Sequence, residues 1–220
     1  VVEDTVTLLE PNYYGNAEKR FNVASVYTAF YYDSRDNFAF PNKGKLFGIG
    51  LNVPYALGQN TYPSINASFK SYYQLKRHLF AYSLEAQVAR KVNDLPYDVQ
   101  IGQRKTYLPR IFDLYVLQTS NWFTARLQHN YKLVDDFKIK TNFMPIKQFA
   151  DPNVTIALGP FADCGYFPNP QENNLVYNHL IASIGLSLNI VTYYDNVLRI
   201  DVGHNSLGQN AVFLNFKKAI

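Results

Sequence analysis

From His78 to Lys91 the chain alternates with period two: Phe80, Tyr82, Leu84, Ala86 and Val88 share one side, and Ser83, Glu85 and Gln87 share the other. The same period returns in Ile65–Tyr73 and in Phe123/Ala125/Leu127 against Thr124/Arg126/Gln128. It is clearest in Leu180/Ala182/Ile184/Leu186/Leu188/Ile190 against Ser183/Gly185/Ser187/Asn189, and recurs in Leu198/Ile200/Val202 against Arg199/Asp201. Alternation at 180° per residue is the signature of a strand with two unlike faces. No apolar run approaches the roughly 18 residues of a spanning helix, which excludes a helical membrane protein.

The polar sides decide between a soluble sandwich and a sheet that meets lipid. They are built of Ser, Asn, Gln, Gly and Thr with scattered charges, as a wet interior would be. Asp, Glu, Lys and Arg make up 17% of the chain, against about 25% in a soluble domain. Aromatic residues reach 16%, mostly as 18 Tyr and 16 Phe. Rings cluster near strand ends (Tyr27, Phe30, Tyr31 and Tyr32; Tyr72 and Tyr73; Tyr193 and Tyr194), where the girdles of a membrane barrel sit. Several alternating stretches match the roughly 9–11 residues of a tilted membrane strand. The fold class expected is all-β, an antiparallel transmembrane β-barrel of about nine or ten strands. Nine strands are expected at 21–33, 44–55, 63–75, 78–91, 121–133, 154–166, 180–191, 196–204 and 211–217, with one more at 5–9 or 137–147. No linker or composition shift divides residues 1–220, which read as one domain. A sheet in lipid has to close, because an open edge leaves backbone groups unsatisfied.

Little points to bond chemistry. Cys164 is alone, and His78, His129, His179 and His204 are dispersed without ligand spacing, so no metal site, cofactor or enzymatic activity is expected. Gly203–Gly208 has the wrong spacing for a nucleophile elbow and reads as a surface loop. The net charge of +4 does not imply nucleic acid. Asp163 falls on the inner face if Ile156, Leu158 and Ala162 point outward, and a buried carboxylate needs a partner. Glu85, Arg126, Lys132, Arg199 and Asp201 are also expected inside, as a general polar network.

Three pieces of the sequence resemble the BamA/TamA family of outer-membrane assembly proteins, the bacterial surface-antigen barrels. Phe161-Ala162-Asp163-Cys164-Gly165-Tyr166 is similar to the family's F-x-D-x-G strand. The stretch from Ile184 through Tyr193-Tyr194-Asp195-Asn196 to Phe213-Leu214-Asn215-Phe216 resembles its last three strands. Asp33-Ser34-Arg35-Asp36-Asn37 followed by Phe40-Pro41-Asn42-Lys43-Gly44 resembles its D-x-R-x-N … F-P-x-x-G turn. The family presents an R-G-F or R-G-Y loop tip to the F-x-D-x-G strand. Here Arg110-Ile111-Phe112 stands in that place, with Ile for Gly.

The resemblance implies the C-terminal sector of a 16-strand barrel in the cell outer membrane, as a segment of a longer chain or a reduced relative. It implies a loop-docking motif of Arg110, Phe112, Phe161, Asp163 and Gly165, and a terminal strand whose Val212, Leu214 and Phe216 face lipid at the seam. The implied function is assembly, insertion or translocation of outer-membrane proteins. The implied partners are outer-membrane lipids, other assembly proteins and client barrel strands, with no nucleic acid. The alternative is a non-catalytic barrel that anchors a partner or fused enzyme; a passive pore is a third reading and needs an open lumen.

Overall fold

The computed structural model describes residues 23–56, 63–89, 108–115, 117, 119–138, 153–169, 175–192 and 196–217. Nine strands follow one another: β1 (Val23–Asp33), β2 (Gly44–Ala56), β3 (Ser64–Leu75), β4 (His78–Ala89), β5 (Trp122–Lys138), β6 (Asn153–Tyr166), β7 (Leu180–Thr192), β8 (Asn196–Asn205) and β9 (Asn210–Lys217). Each pairs antiparallel with the next, so the sheet order is the chain order. The fold is all-β. Among the described residues no helix is long and apolar enough to cross a membrane.

The expected strands are present; the ends that are described shift by a residue or two, residues 21, 22, 90 and 91 lie outside the described residues, and β5 departs most. It runs on to Lys138 through two register shifts, between Lys132 and Val134 and between Val134 and Phe137. Asp136 takes a positive φ of 52° there. Val134-Asp135-Asp136 is where the alternation of side-chain type fails, which is why periodicity places the strand end too early. Residues 137 and 138, expected as the start of a further strand, belong to this extension; the rest of that segment and residues 5–9 lie outside the described residues. β8 runs one residue beyond its expected end, to Asn205, and of the loop expected at 203–208 only the short turn beginning at Ser206 is loop.

Register keeps each face uniform across the sheet. Ser68 pairs with Glu85, Glu85 with Thr124, and Thr124 with Gly165. Further along, Gly159 pairs with Ser187 and Ser187 with Asp201. These residues define the inner face. The other parity carries Phe69, Leu84, Ala125, Leu158, Ile184, Leu186, Val202, Val212 and Leu214. Burial runs opposite to a soluble domain. Ser187 and Asp201 are 0% exposed and Asn189 is 3%, whereas Ile184 is 62% and Val212 66%.

The sheet curls around its inner face. Lys70 of β3, Asn130 of β5 and Asn215 of β9 line one cavity of about 340 Å³. Asn189 on β7 donates to Asn130 on β5 at 3.1 Å, above Ala157 of the intervening β6, which is fully buried. Closure does not follow from this curvature. Among the described residues β1 and β9 are the two edges and are not bonded to each other. The main apolar cluster lies at one end of the inner face: Leu108, Phe112, Leu117, Trp122, Phe167, Val176, Tyr177 and Ile181. It is contributed largely by the connections leaving β4 and β6.

Candidate functional site

Between β4 and β5 the chain enters the inner face. Two tight turns shape residues 109–115, with Phe112 N–H donating to the Pro109 carbonyl at 3.3 Å and Tyr115 N–H to the Phe112 carbonyl at 2.9 Å. These turns aim Arg110 at β6. Its Nη2 donates to Asp163 Oδ1 at 2.7 Å and its Nε to Oδ2 at 2.7 Å. The backbone N–H of Arg110 adds a third bond to Oδ2 at 3.0 Å, and Nη1 reaches Gln128 Oε1 at 2.9 Å. The guanidinium lies 3.9 Å from the centre of the Phe161 ring, close enough for a cation–π contact. Fork-to-fork geometry is the strongest form of an arginine–carboxylate bond.

The pair is dry. The Asp163 side chain is 0% exposed and that of Arg110 8%. A desolvated pair holds only when its remaining hydrogen-bonding capacity is used, and here both carboxylate oxygens are engaged. The alternation of β6 sets up this arrangement by turning Phe161, Asp163 and Gly165 inward together. Gly165 supplies room: a Cβ there would come within 2.6 Å of the Phe167 ring and 3.1 Å of Pro109. Phe112 is fully buried in the apolar cluster.

Ile111 takes φ +70°, the left-handed region where a β-branched residue is an outlier. It is held from the β8–β9 end. Asn205 Nδ2 donates to its carbonyl at 3.2 Å. Gly203 lets its side chain approach, since a Cβ on Gly203 would stand 3.0 Å from Ile111 Cγ1. Tyr115 donates to Gln209 at 2.9 Å, and Arg126 Nη2 to the Leu108 carbonyl at 2.7 Å. The tip thereby links β5, β6, β8 and the β8–β9 turn.

The other inner charges pair locally. Arg199 meets Asp201 at 2.8 Å, Lys70 meets Glu85 at 3.0 Å and Lys132 meets Asp135 at 3.0 Å. Asp201 also accepts from Ser187 Oγ at 2.6 Å and Asn215 Nδ2 at 3.3 Å. On the outside, Val212, Leu214 and Phe216 of β9 lie on one face, Phe216 at 76% exposure. Cys164 is half-buried between inward neighbours.

The Asp33–Gly44 turn between β1 and β2 folds on itself. Arg35 bonds both Asp33 oxygens, at 2.9 Å and 2.7 Å, and this contact raises the guanidinium's pKa. Asn37 Oδ1 accepts from the N–H groups of Ala39 and Phe40, and Asp36 Oδ1 from those of Asn42 and Lys43. Burial pushes the Asp36 carboxyl up, but the Lys43 and Asn42 amides more than offset this and hold it below its ordinary value. Phe40 and Pro41 line the same inner cavity as Arg110.

Arg110, Phe112, Phe161, Asp163 and Gly165 thus come together, while Val212, Leu214 and Phe216 lie apart on the outer face. Sequence reasoning missed Gln128, Asn205 and Trp122. Gln128 and Trp122 sit at inward positions of β5, a signal available in the alternation; Asn205 lies one residue past the expected end of β8. Among the described residues no three His, Cys, Asp or Glu converge as metal ligands. No family model matches the chain, and no curated protein matches it.

Proposed function

We propose that the chain forms the wall of an outer-membrane β-barrel of BamA-like type and works in assembly, insertion or translocation of other outer-membrane proteins. The observation that carries this reading is the docked tip, Arg110 held by both oxygens of Asp163 on the Phe161–Gly165 stretch of β6. The inverted burial supports the membrane part. In water, rings and aliphatic chains such as Phe30, Leu127, Ile184 and Leu214 would forgo about 25 cal/mol for every Å² left exposed; lipid removes that cost.

The activity proposed involves no bond chemistry. A client strand adds to a sheet edge, its main chain pairing with free N–H and C=O groups. Among the described residues β9 is an edge of the sheet and carries an apolar outer face that suits lipid. The docked tip ties β5, β6 and β8 into one unit beside it. Its partners in this reading are outer-membrane lipids, client strands and other assembly proteins. The apolar cluster fills one end of the inner face, which runs against a passive pore.

One observation favours a second reading, a barrel that anchors a partner or fused enzyme. Ile111 and Phe112 fix the tip by burial, which suits a static plug. The test is reconstitution of the full chain in lipid vesicles, followed by addition of a urea-unfolded outer-membrane barrel protein. Folding is read by its heat-modifiable mobility on gels. Assembly activity predicts faster client folding than in empty vesicles, reduced by Arg110→Ala. No acceleration by correctly inserted wild-type chain would reject it in favour of the anchor.

A further inference from the structure

We propose that His78 and His129 form a two-imidazole site for a divalent transition-metal ion, Cu²⁺ or Zn²⁺, on the outer face beside the β3–β4 turn. They are 51 residues apart in sequence. Register makes them diagonal neighbours: His78 pairs with Tyr131 and Phe80 with His129, all four on the outer parity of β4 and β5. His78 Nδ1 and His129 Nε2 are 3.0 Å apart. Two nitrogens bound at about 2.0–2.1 Å to a tetrahedral or octahedral ion stand roughly 2.9–3.4 Å apart. The spacing meets that requirement; with ring centroids 5.2 Å apart the two nitrogens point nearly at each other, so each ring has to turn by roughly 25° to aim its lone pair at a shared ion.

Neighbouring rings hold the pair together. Their planes lie 18° apart with centroids at 5.2 Å. The Phe80 ring is 4.9 Å from His129, and the Tyr131 ring stands edge-on 5.1 Å from His78. A neutral pair shares one N–H between the facing nitrogens. Metal binding needs that proton to move to the other nitrogen of its own ring, a tautomer change that frees both lone pairs without net loss of a proton. Imidazole suits copper and zinc and is a poor ligand for magnesium or calcium. No third His, Cys, Asp or Glu joins the group among the described residues. The remaining coordination positions are therefore left to water or an external ligand. The site rests on the pairing of β4 with β5 alone and stands whether or not the assembly reading holds.

The test uses the full chain folded in detergent micelles with one equivalent of Cu²⁺. Electron paramagnetic resonance of the wild-type protein should show nitrogen splitting from two equivalent imidazoles. Once one imidazole holds the ion, the second binds intramolecularly, so losing either should weaken binding on the order of a hundredfold. His78→Gln and His129→Gln should each do so, and His204→Gln should not. Zn²⁺ should compete for the same site. A wild-type spectrum with one imidazole or none would overturn the proposal even if a variant fails to fold, as would two-imidazole binding that persists in either glutamine variant.

Discussion

Replacing Ile111 with Gly would restore the residue that the R-G-F pattern carries, and its outcome depends on two opposed effects. Backbone conformation favours Gly. Ile111 sits at φ +70°, and an L-residue in the left-handed region costs about 1–2 kcal/mol. Side-chain packing favours Ile. The Ile111 side chain is 3% exposed and rests against Gly203, and stripping a buried Ile to Ala costs about 2–5 kcal/mol. Packing outweighs the backbone cost, so Ile111→Gly should destabilise the fold by about 1–3 kcal/mol. Ile111→Ala loses the same packing and keeps most of the backbone penalty. It should be less stable than the Gly variant by about 1 kcal/mol. The assay is equilibrium urea unfolding in micelles followed by fluorescence of Trp122, the chain's one tryptophan, which is buried in the same apolar cluster as Phe112. The expected order is wild type, then Gly, then Ala. A Gly variant more stable than wild type would refute the claim that packing dominates. An Ala variant as stable as Gly would refute the left-handed geometry.

Arg110→Ala and Asp163→Ala should each cost about 3–5 kcal/mol by leaving a buried charge unpaired, and the double variant should be little worse than either single one; additive losses in the same urea assay would mean that the two act separately. If the outer face meets lipid, Leu186→Arg should cost about 2–4 kcal/mol near the bilayer midplane, and Ser68→Arg, inward and opposite Glu85, much less. Equal costs, measured by folding into vesicles, would sink the assignment of faces. Asp36 is held below its ordinary carboxylate value of 3.8, so its contribution is complete above that pH and is lost as pH falls through the lower folded value. Asp36→Asn should remove that part of the acid dependence while leaving the neutral-pH fold intact, as read by an unfolding series from neutral to acid pH.

Much of the fold was legible because a strand writes its two faces into adjacent residues. Leu186 and Ser187 differ in type because successive side chains point to opposite sides, and a two-residue period survives without knowledge of any partner strand. The inward orientation of Phe161, Asp163 and Gly165 follows from the same rule, and a carboxylate on that face required a counter-charge. Arg110 entered through its resemblance to a loop tip, and the structure sets it on that carboxylate. The end of β5 was not legible, because Val134-Asp135-Asp136 breaks the period where a bulge carries the strand on.

What only the tertiary structure decided are contacts set by register and by the path of a connection. Asn205 caps the Ile111 carbonyl across the inner face. Trp122 joins Phe167 and Tyr177 in a cluster that no single segment could bury. His78 meets His129 because β4 and β5 align Phe80 with His129 rather than with a neighbour one residue away. The sequence by itself determined which side of the sheet each residue takes, since that depends on parity along one strand. Which residues touch depends on hydrogen-bond pairing between strands far apart in the chain, and a shift of one residue in that pairing would change every neighbour.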